Sequence, residues 1–101
     1  MEILIMETAT VRQRLMEILG QGGEVTAIDL SQAVGIGEKE VYQHLPHIAR
    51  SLATQGRGLR IDPSRCLKCG YVFEDRKRFT RPGRCPRCRA TYIRRPFFSI
   101  R

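Results

Sequence analysis

All four cysteines of the chain fall within one stretch, "CLKCGYVFEDRKRFTRPGRCPRC", as two Cys-x-x-Cys pairs: Cys66 with Cys69 and Cys85 with Cys88. A two-residue gap lets both thiolates of a pair turn toward one ion. The C-x2-C-x15-C-x2-C arrangement suits a four-cysteine zinc site. Four sulfurs close a tetrahedron and leave no coordination position for water, so the ion expected is a single structural Zn2+. Iron accepts the same four thiolates and is the alternative metal. Four thiolates around a divalent cation leave a net charge of about −2. Lys68, Arg84, Arg87 and Arg89 stand close enough in sequence to offset it. A thioredoxin-like redox role calls for one such pair on a βαβ unit, not two.

The segment around the cysteines is small enough to need a metal. Below roughly 40 residues a chain seldom folds on its own core. Paired cysteines used for metal rather than disulfides fit a reducing, cytoplasmic setting. The opening "MEILIM" is too short and too acidic for a signal peptide, and no apolar run has the ~18 residues of a membrane span. No membrane partner is expected.

Charge is distributed as unevenly as cysteine. The chain of 101 residues has a net charge of +8. Residues 1–60 hold six Lys/Arg against seven Asp/Glu, a net of −1, whereas residues 61–101 hold twelve against three, a net of +9. Three acids cannot pair off twelve bases, so an acidic partner is expected, with nucleic acid the commonest. The loop "EDRKRFTRPGR" carries Arg76, Lys77, Arg78, Arg81 and Arg84 with Phe79 among them, and "RATYIRRP" adds Tyr92. Cations interleaved with aromatics suit backbone contact and base stacking, on DNA or RNA. A small ribbon core is the competing use for most of Tyr71, Phe73, Phe79 and Tyr92.

The elements that must position these residues can be read from periodicity. Val11, Leu15, Ile18 and Leu19 follow helical spacing. Thr10 with Gln13 fits a capping box at the start of this helix, and Gly20 and Gly22-Gly23 stop it. "AIDLSQAV" reads as a second helix, started at Thr26 with Asp29 in its first turn and ended at Gly35. A third helix is expected over 38–53, with Val41, Leu45, Ile48 and Leu52 on one face. Pro46 inside it predicts a kink or two abutting helices. Alternation in "LRID" and "FFSIR" predicts two short strands that pair, with the cysteine segment inserted at the hairpin tip. The first six residues read equally as a strand or a helical extension serving a dimer.

Three helices and a hairpin make an α+β fold, a winged helix-turn-helix with a four-cysteine zinc ribbon inserted in the wing. The expected domains are residues 1–62, completed by a C-terminal strand at 96–101, and the ribbon at 63–95. The motif centre is "DLSQAVGIGEKEVYQHL": Gly35 supplies the positive φ of the sharp turn, Ser31 lets the helices cross closely, and Leu30, Val34, Ile36, Val41 and Leu45 face inward. Helix 38–53 is then the recognition helix, with Lys39, Tyr42, Gln43, His47 and Arg50 as outward candidates. Gln43 suits an adenine edge and Arg50 a guanine or phosphate. Glu38 and Glu40 offset Lys39 and Arg50, so the basic ribbon must supply most of the phosphate contact. Of the two histidines, His44 and His47, one is expected packed and one exposed.

On "LSQAVGIGEKEVYQHLPHIARSL", "CLKCGY" and "CPRC", the chain resembles a small family of predicted archaeal and bacterial transcriptional regulators. These join a winged helix-turn-helix to a rubredoxin-like zinc ribbon in place of the wing. The resemblance spans about residues 9–101. "CLKCGYVF" is similar to the first knuckle of rubredoxin, although Arg89 stands where rubredoxin has a glycine after its fourth cysteine. The resemblance implies sequence-specific binding of double-stranded DNA, with Cys66, Cys69, Cys85 and Cys88 as zinc ligands. A homodimer and proteins of the transcription machinery are further partners to expect. The alternative function is a protein-interaction adaptor of that machinery, and an electron carrier is a more distant one. No catalytic constellation is present in the sequence, so no enzyme is expected.

Overall fold

A computed structural model of the chain describes residues 7–74, 76 and 78–101. The elements run α1 (Glu7–Leu19), α2 (Ala27–Val34), α3 (Glu38–Thr54), β1 (Leu59–Asp62), β2 (Arg65–Cys66), β3 (Ile93–Arg94) and β4 (Phe97–Ile100). The architecture is a small α+β fold of three helices, short antiparallel pairings and a four-cysteine ribbon.

Helix α1 already includes Thr10, so the capping box expected there does not start it. Glu7 and Ala9 carry the helical run N-terminally, and the strong helix propensity of Ala and Glu outweighs a Thr cap signal. Thr26 does cap α2: its side chain accepts from the Asp29 amide, and Asp29 accepts from the Thr26 amide in return. Gly35 closes α2 at φ 82°, where a side chain would be strained. Ser31 takes part in that turn directly. Its carbonyl receives the amides of Gly35 and Ile36, and its hydroxyl donates to the Ile36 carbonyl at 2.5 Å.

Helix α3 runs unbroken across Pro46, one residue longer than its apolar pattern suggests, so it does not divide in two. Val41, Leu45, Ile48 and Leu52 are buried on the face away from Pro46, which is exposed. Burial of that apolar stripe on both sides of the proline holds the helix together despite the missing backbone donor. These side chains join Leu15, Leu19, Ala27, Leu30 and Val34 in one core, closed from the strand side by Phe98.

β1 and β4 pair antiparallel with Leu59 opposite Ile100 and Ile61 opposite Phe98. Val25, from the α1–α2 connection, bonds the other edge of β4 through two bonds with Phe98. β2 and β3 pair with Arg65 opposite Arg94 and Cys66 opposite Ile93. The two ladders lie in one register, so Pro63 and Pro96 fall opposite each other in the gap between them. Neither proline can donate to a ladder, which is why one long hairpin appears as two short ones. Arg94 clasps the gap: it donates to the Asp62 carboxylate at 3.2 Å and the Pro63 carbonyl at 2.7 Å, and its guanidinium sits 5.0 Å from the Phe97 ring centre. The cysteine segment therefore sits at the hairpin's tip.

Candidate metal centre and nucleic-acid interface

The two Cys-x-x-Cys turns are built alike. In the first, the Cys66 carbonyl accepts from Gly70 and the Cys66 amide donates to Tyr71. In the second, the Cys85 carbonyl accepts from Arg89 and the Cys85 amide donates to Ala90. Gly70 has φ 83° and Arg89, at the matching position, has φ 65°. The turn keeps a left-handed residue there even though the chain supplies arginine rather than glycine. The Arg87 amide also points at the Cys85 sulfur, 3.4 Å away.

These turns bring the four sulfurs together. Cys66 and Cys88 are 3.6 Å apart at sulfur, as are Cys69 and Cys85, and all four sulfurs lie within 4.8 Å of one another. A disulfide needs about 2.05 Å, so the cysteines are thiols. Zinc–sulfur bonds of about 2.3 Å in a tetrahedron place the sulfurs about 3.8 Å apart. The cluster matches that spacing, and Cys66 and Cys85 are buried while Cys69 faces solvent. The donor set fits a bound metal ion. Backbone amides prepare it: those of Cys69 and Lys68 bring the Cys66 thiol down to about 6. Cys85 is shifted down by the Cys88 and Arg87 amides despite its burial. At Cys69 the Tyr71 amide favours the thiolate, yet partial desolvation of the sulfur by its surroundings and the neighbouring Cys85, Cys88 and Cys66 thiols outweigh it and hold the group up at about 11.

On α3, Lys39, Gln43, His47 and Arg50 are all exposed. Their spacing of four, four and three residues sets them along one stripe. Tyr42 is half-buried beside them, and its hydroxyl donates to Glu38 at 2.6 Å. His44 is the packed histidine, only 7 % exposed, and accepts from Arg12 of α1 at 3.3 Å. Burial and then the Arg12 charge hold its pKa below the ordinary histidine value. In the ribbon, Arg78, Arg81 and Arg84 are exposed. Arg76 is folded back instead, donating to the carbonyl and hydroxyl of Thr80. Lys77 lies outside the described residues.

Two contacts that the sequence did not disclose tie the ribbon to the helical half. Arg95 donates twice to Glu38, at 2.9 and 3.3 Å. Glu38 is therefore occupied by the far end of the ribbon and does not offset Lys39 or Arg50. The Arg95 bonds, then Tyr42, hold the Glu38 carboxyl below the usual carboxylate range in spite of burial. Burial and the bond to Glu38 push the Tyr42 hydroxyl up to about 12. Phe79 leaves the ribbon and packs on Phe98, ring centres 6.0 Å apart. Its one visible signal was an isolated aromatic in a basic loop. Tyr71 and Phe73 do form a ribbon pair, edge to face at 5.0 Å, but Tyr92 stays outside it at 68 % exposure. Between α3 and the ribbon loop these contacts leave a hollow of about 490 Å³, walled by Lys39, Gln43, Arg81 and the Glu38–Arg95 pair.

Residues 10–60 match the family model described as PF0610-like, N-terminal, and residues 63–101 match the PF0610 rubredoxin-like zinc beta-ribbon domain. The solution NMR structure of protein PF0610 from Pyrococcus furiosus is 31 % identical to the chain. The match covers 92 % of this chain and 90 % of that one, with a TM-score of 0.76. No curated protein matches the chain.

Proposed function

The chain belongs to the PF0610-like family, with that family's rubredoxin-like zinc ribbon, and from this premise we propose that it is a DNA-binding transcriptional regulator. In this reading α2, the Gly35 turn and α3 form a helix-turn-helix, and the β1–β4 hairpin is a wing extended by the ribbon. Residues 1–62 with 96–101 are one unit and 63–95 the other. A single Zn2+ holds the ribbon as a structural ion, in a cytoplasmic protein without a catalytic step.

The observation that carries the reading is the exposed stripe of Lys39, Gln43, His47 and Arg50 on α3. A helix of this length is about 25 Å long and fits the major groove. Two of the four side chains are cations, and the acid nearest the start of the helix is engaged by Arg95. Arg81 flanks the same hollow as Lys39 and Gln43, which suits one phosphate backbone held between helix and ribbon. Fluorescence anisotropy with the promoter duplex of the neighbouring gene and with a scrambled duplex tests this. Affinity should fall steeply with salt. Gln43→Ala should lose about tenfold on the preferred duplex and little on the scrambled one, as for a base contact worth ~1–3 kcal/mol. Arg81→Ala should weaken both equally. Binding to neither duplex, or a Gln43 variant that loses equally on both, would reject the specific-reader version.

A further inference from the structure

Two large apolar side chains are exposed among the described residues, Tyr92 at 68 % and Leu67 at 47 %, and they are neighbours. The Leu67 amide donates to the Tyr92 carbonyl at 2.9 Å, continuing the register that sets Cys66 opposite Ile93. Residues opposite one another in an antiparallel pair project from the same face. Cys66 and Ile93 are buried, so Leu67 and Tyr92 project outward together. Arg65, two residues before Leu67, shares their face and is exposed, and exposed Lys68 follows Leu67. The other aromatics of this half are engaged: Tyr71 with Phe73, Phe79 with Phe98, and Phe97 under Arg94.

We propose that the Leu67–Tyr92 face is a stacking platform for single-stranded nucleic acid. A base lies on the Tyr92 ring, the sugar edge rests on Leu67, and Arg65 and Lys68 take the adjoining phosphates. An exposed apolar pair also suits a protein surface, but the charge decides against that occupant. Residues 63–94 contain ten Lys/Arg against two acids. An apolar patch set in such a field is complementary to a polyanion whose bases are unpaired, because base stacking and phosphate contact are then satisfied together. In duplex DNA the bases are already stacked on one another, so this face and the α3 stripe serve different ligands.

The chain has no tryptophan, so Tyr92→Trp installs a single reporter at the site. Metal-loaded protein is titrated with oligo(dT) and oligo(U) of about 12 nucleotides, a length suited to one small binding surface. Saturable quenching that weakens with salt is expected, and the tighter of the two strands identifies the preferred sugar. By anisotropy on unmodified oligonucleotides, Tyr92→Ala should lose roughly tenfold in affinity. Tyr92→Phe should keep most of it, since the ring and not the hydroxyl does the stacking. Metal content of each variant checks that the ribbon is intact. No quenching in the Trp variant, or unchanged affinity in Tyr92→Ala, overturns the proposal. So does a self-complementary duplex of equal length that competes as well as the single strands. Loss of duplex binding by the α3 variants leaves this outcome untouched, because no α3 residue belongs to the platform.

Discussion

The helical half buries Leu15, Leu19, Leu30, Val41, Leu45, Ile48 and Leu52 against one another, whereas among the described residues of the ribbon the one large buried aliphatic side chain is Ile93, with Cys66 and Cys85 also buried. The first region has a core that favours folding by removing apolar surface from water. The second has four thiols where a core would be. The difference accounts for the charge pattern. A region organised by a central ion can give nearly all its surface to cations, since few of its positions are needed for packing. The helical region must spend its residues on the core and stays close to neutral.

The largest effect expected is on the ribbon alone. Removing the metal with a chelator should unfold residues 63–95, because metal binding supplies on the order of 10 kcal/mol in such units. In amide spectra the ribbon resonances should collapse while those of α2 and α3 remain dispersed. Simultaneous collapse of both sets would show that the halves form one cooperative unit, and persistence of the ribbon would show that it has a sufficient core. Phe98→Ala probes the other side. Phe98 is fully buried and closes the helical core from β4. Its truncation should cost about 3–5 kcal/mol, read from urea unfolding of the helical signal, with metal content unchanged. Loss of metal in this variant would place the ribbon's stability inside the helical core.

The comparison also explains what could be read from sequence. The Thr26 cap, the Gly35 turn and the β1–β4 pairing were legible because each depends on local residue types and spacing. The cysteine cluster was legible because its chemistry allows few alternatives. The contacts joining the halves were not. Glu38 and Arg95 are 57 residues apart, and no periodicity links them. Glu38 read as a partner for nearby Lys39 because only sequence neighbours were available to pair. A ribbon core competes for most of Tyr71, Phe73, Phe79 and Tyr92, but sequence spacing does not say which of the four it takes; Phe79 packs on Phe98 instead and Tyr92 is exposed. The third helix was legible over 38–53, but that it does not divide at Pro46 was not, because the burial on either side of the proline is a tertiary property.

The junction gives a smaller effect with a pH signature. Glu38 has a folded pKa below its ordinary value of 4.5. Its contribution is therefore present above that value and is lost as pH falls through the folded pKa. Tyr42 has a folded pKa raised from 10.0 to about 12. Its contribution is complete below pH 10 and is lost as pH rises toward about 12. Both groups are partly solvated, so the ion pair should be worth about 1 kcal/mol or less. Glu38→Gln should flatten the acid side of the stability profile by that amount, measured by urea unfolding from pH 3 to 7, and leave metal affinity within about twofold. An unchanged acid limb would mean that the Arg95 bond adds nothing between the halves.

The smallest effect separates two roles for one residue of the ribbon. Gly70 and Arg89 occupy equivalent places in the two knuckles, both with positive φ. Left-handed backbone costs an L-residue about 1–2 kcal/mol. Glycine avoids that cost, but the unfolded chain gains freedom worth about 0.4–1 kcal/mol. Arg89→Gly should therefore leave a net gain of about 0.5 kcal/mol, seen as roughly twofold better retention of metal against a competing chelator. Gly70→Ala should lose retention, because there the left-handed cost is newly imposed. If Arg89→Gly instead weakens retention while Gly70→Ala behaves as expected, the arginine's charge is stabilising the thiolate cluster by more than its backbone strain costs. Repeating the competition in high salt distinguishes the two directly: a backbone effect persists, whereas a charge effect on this exposed side chain shrinks as the Debye length falls.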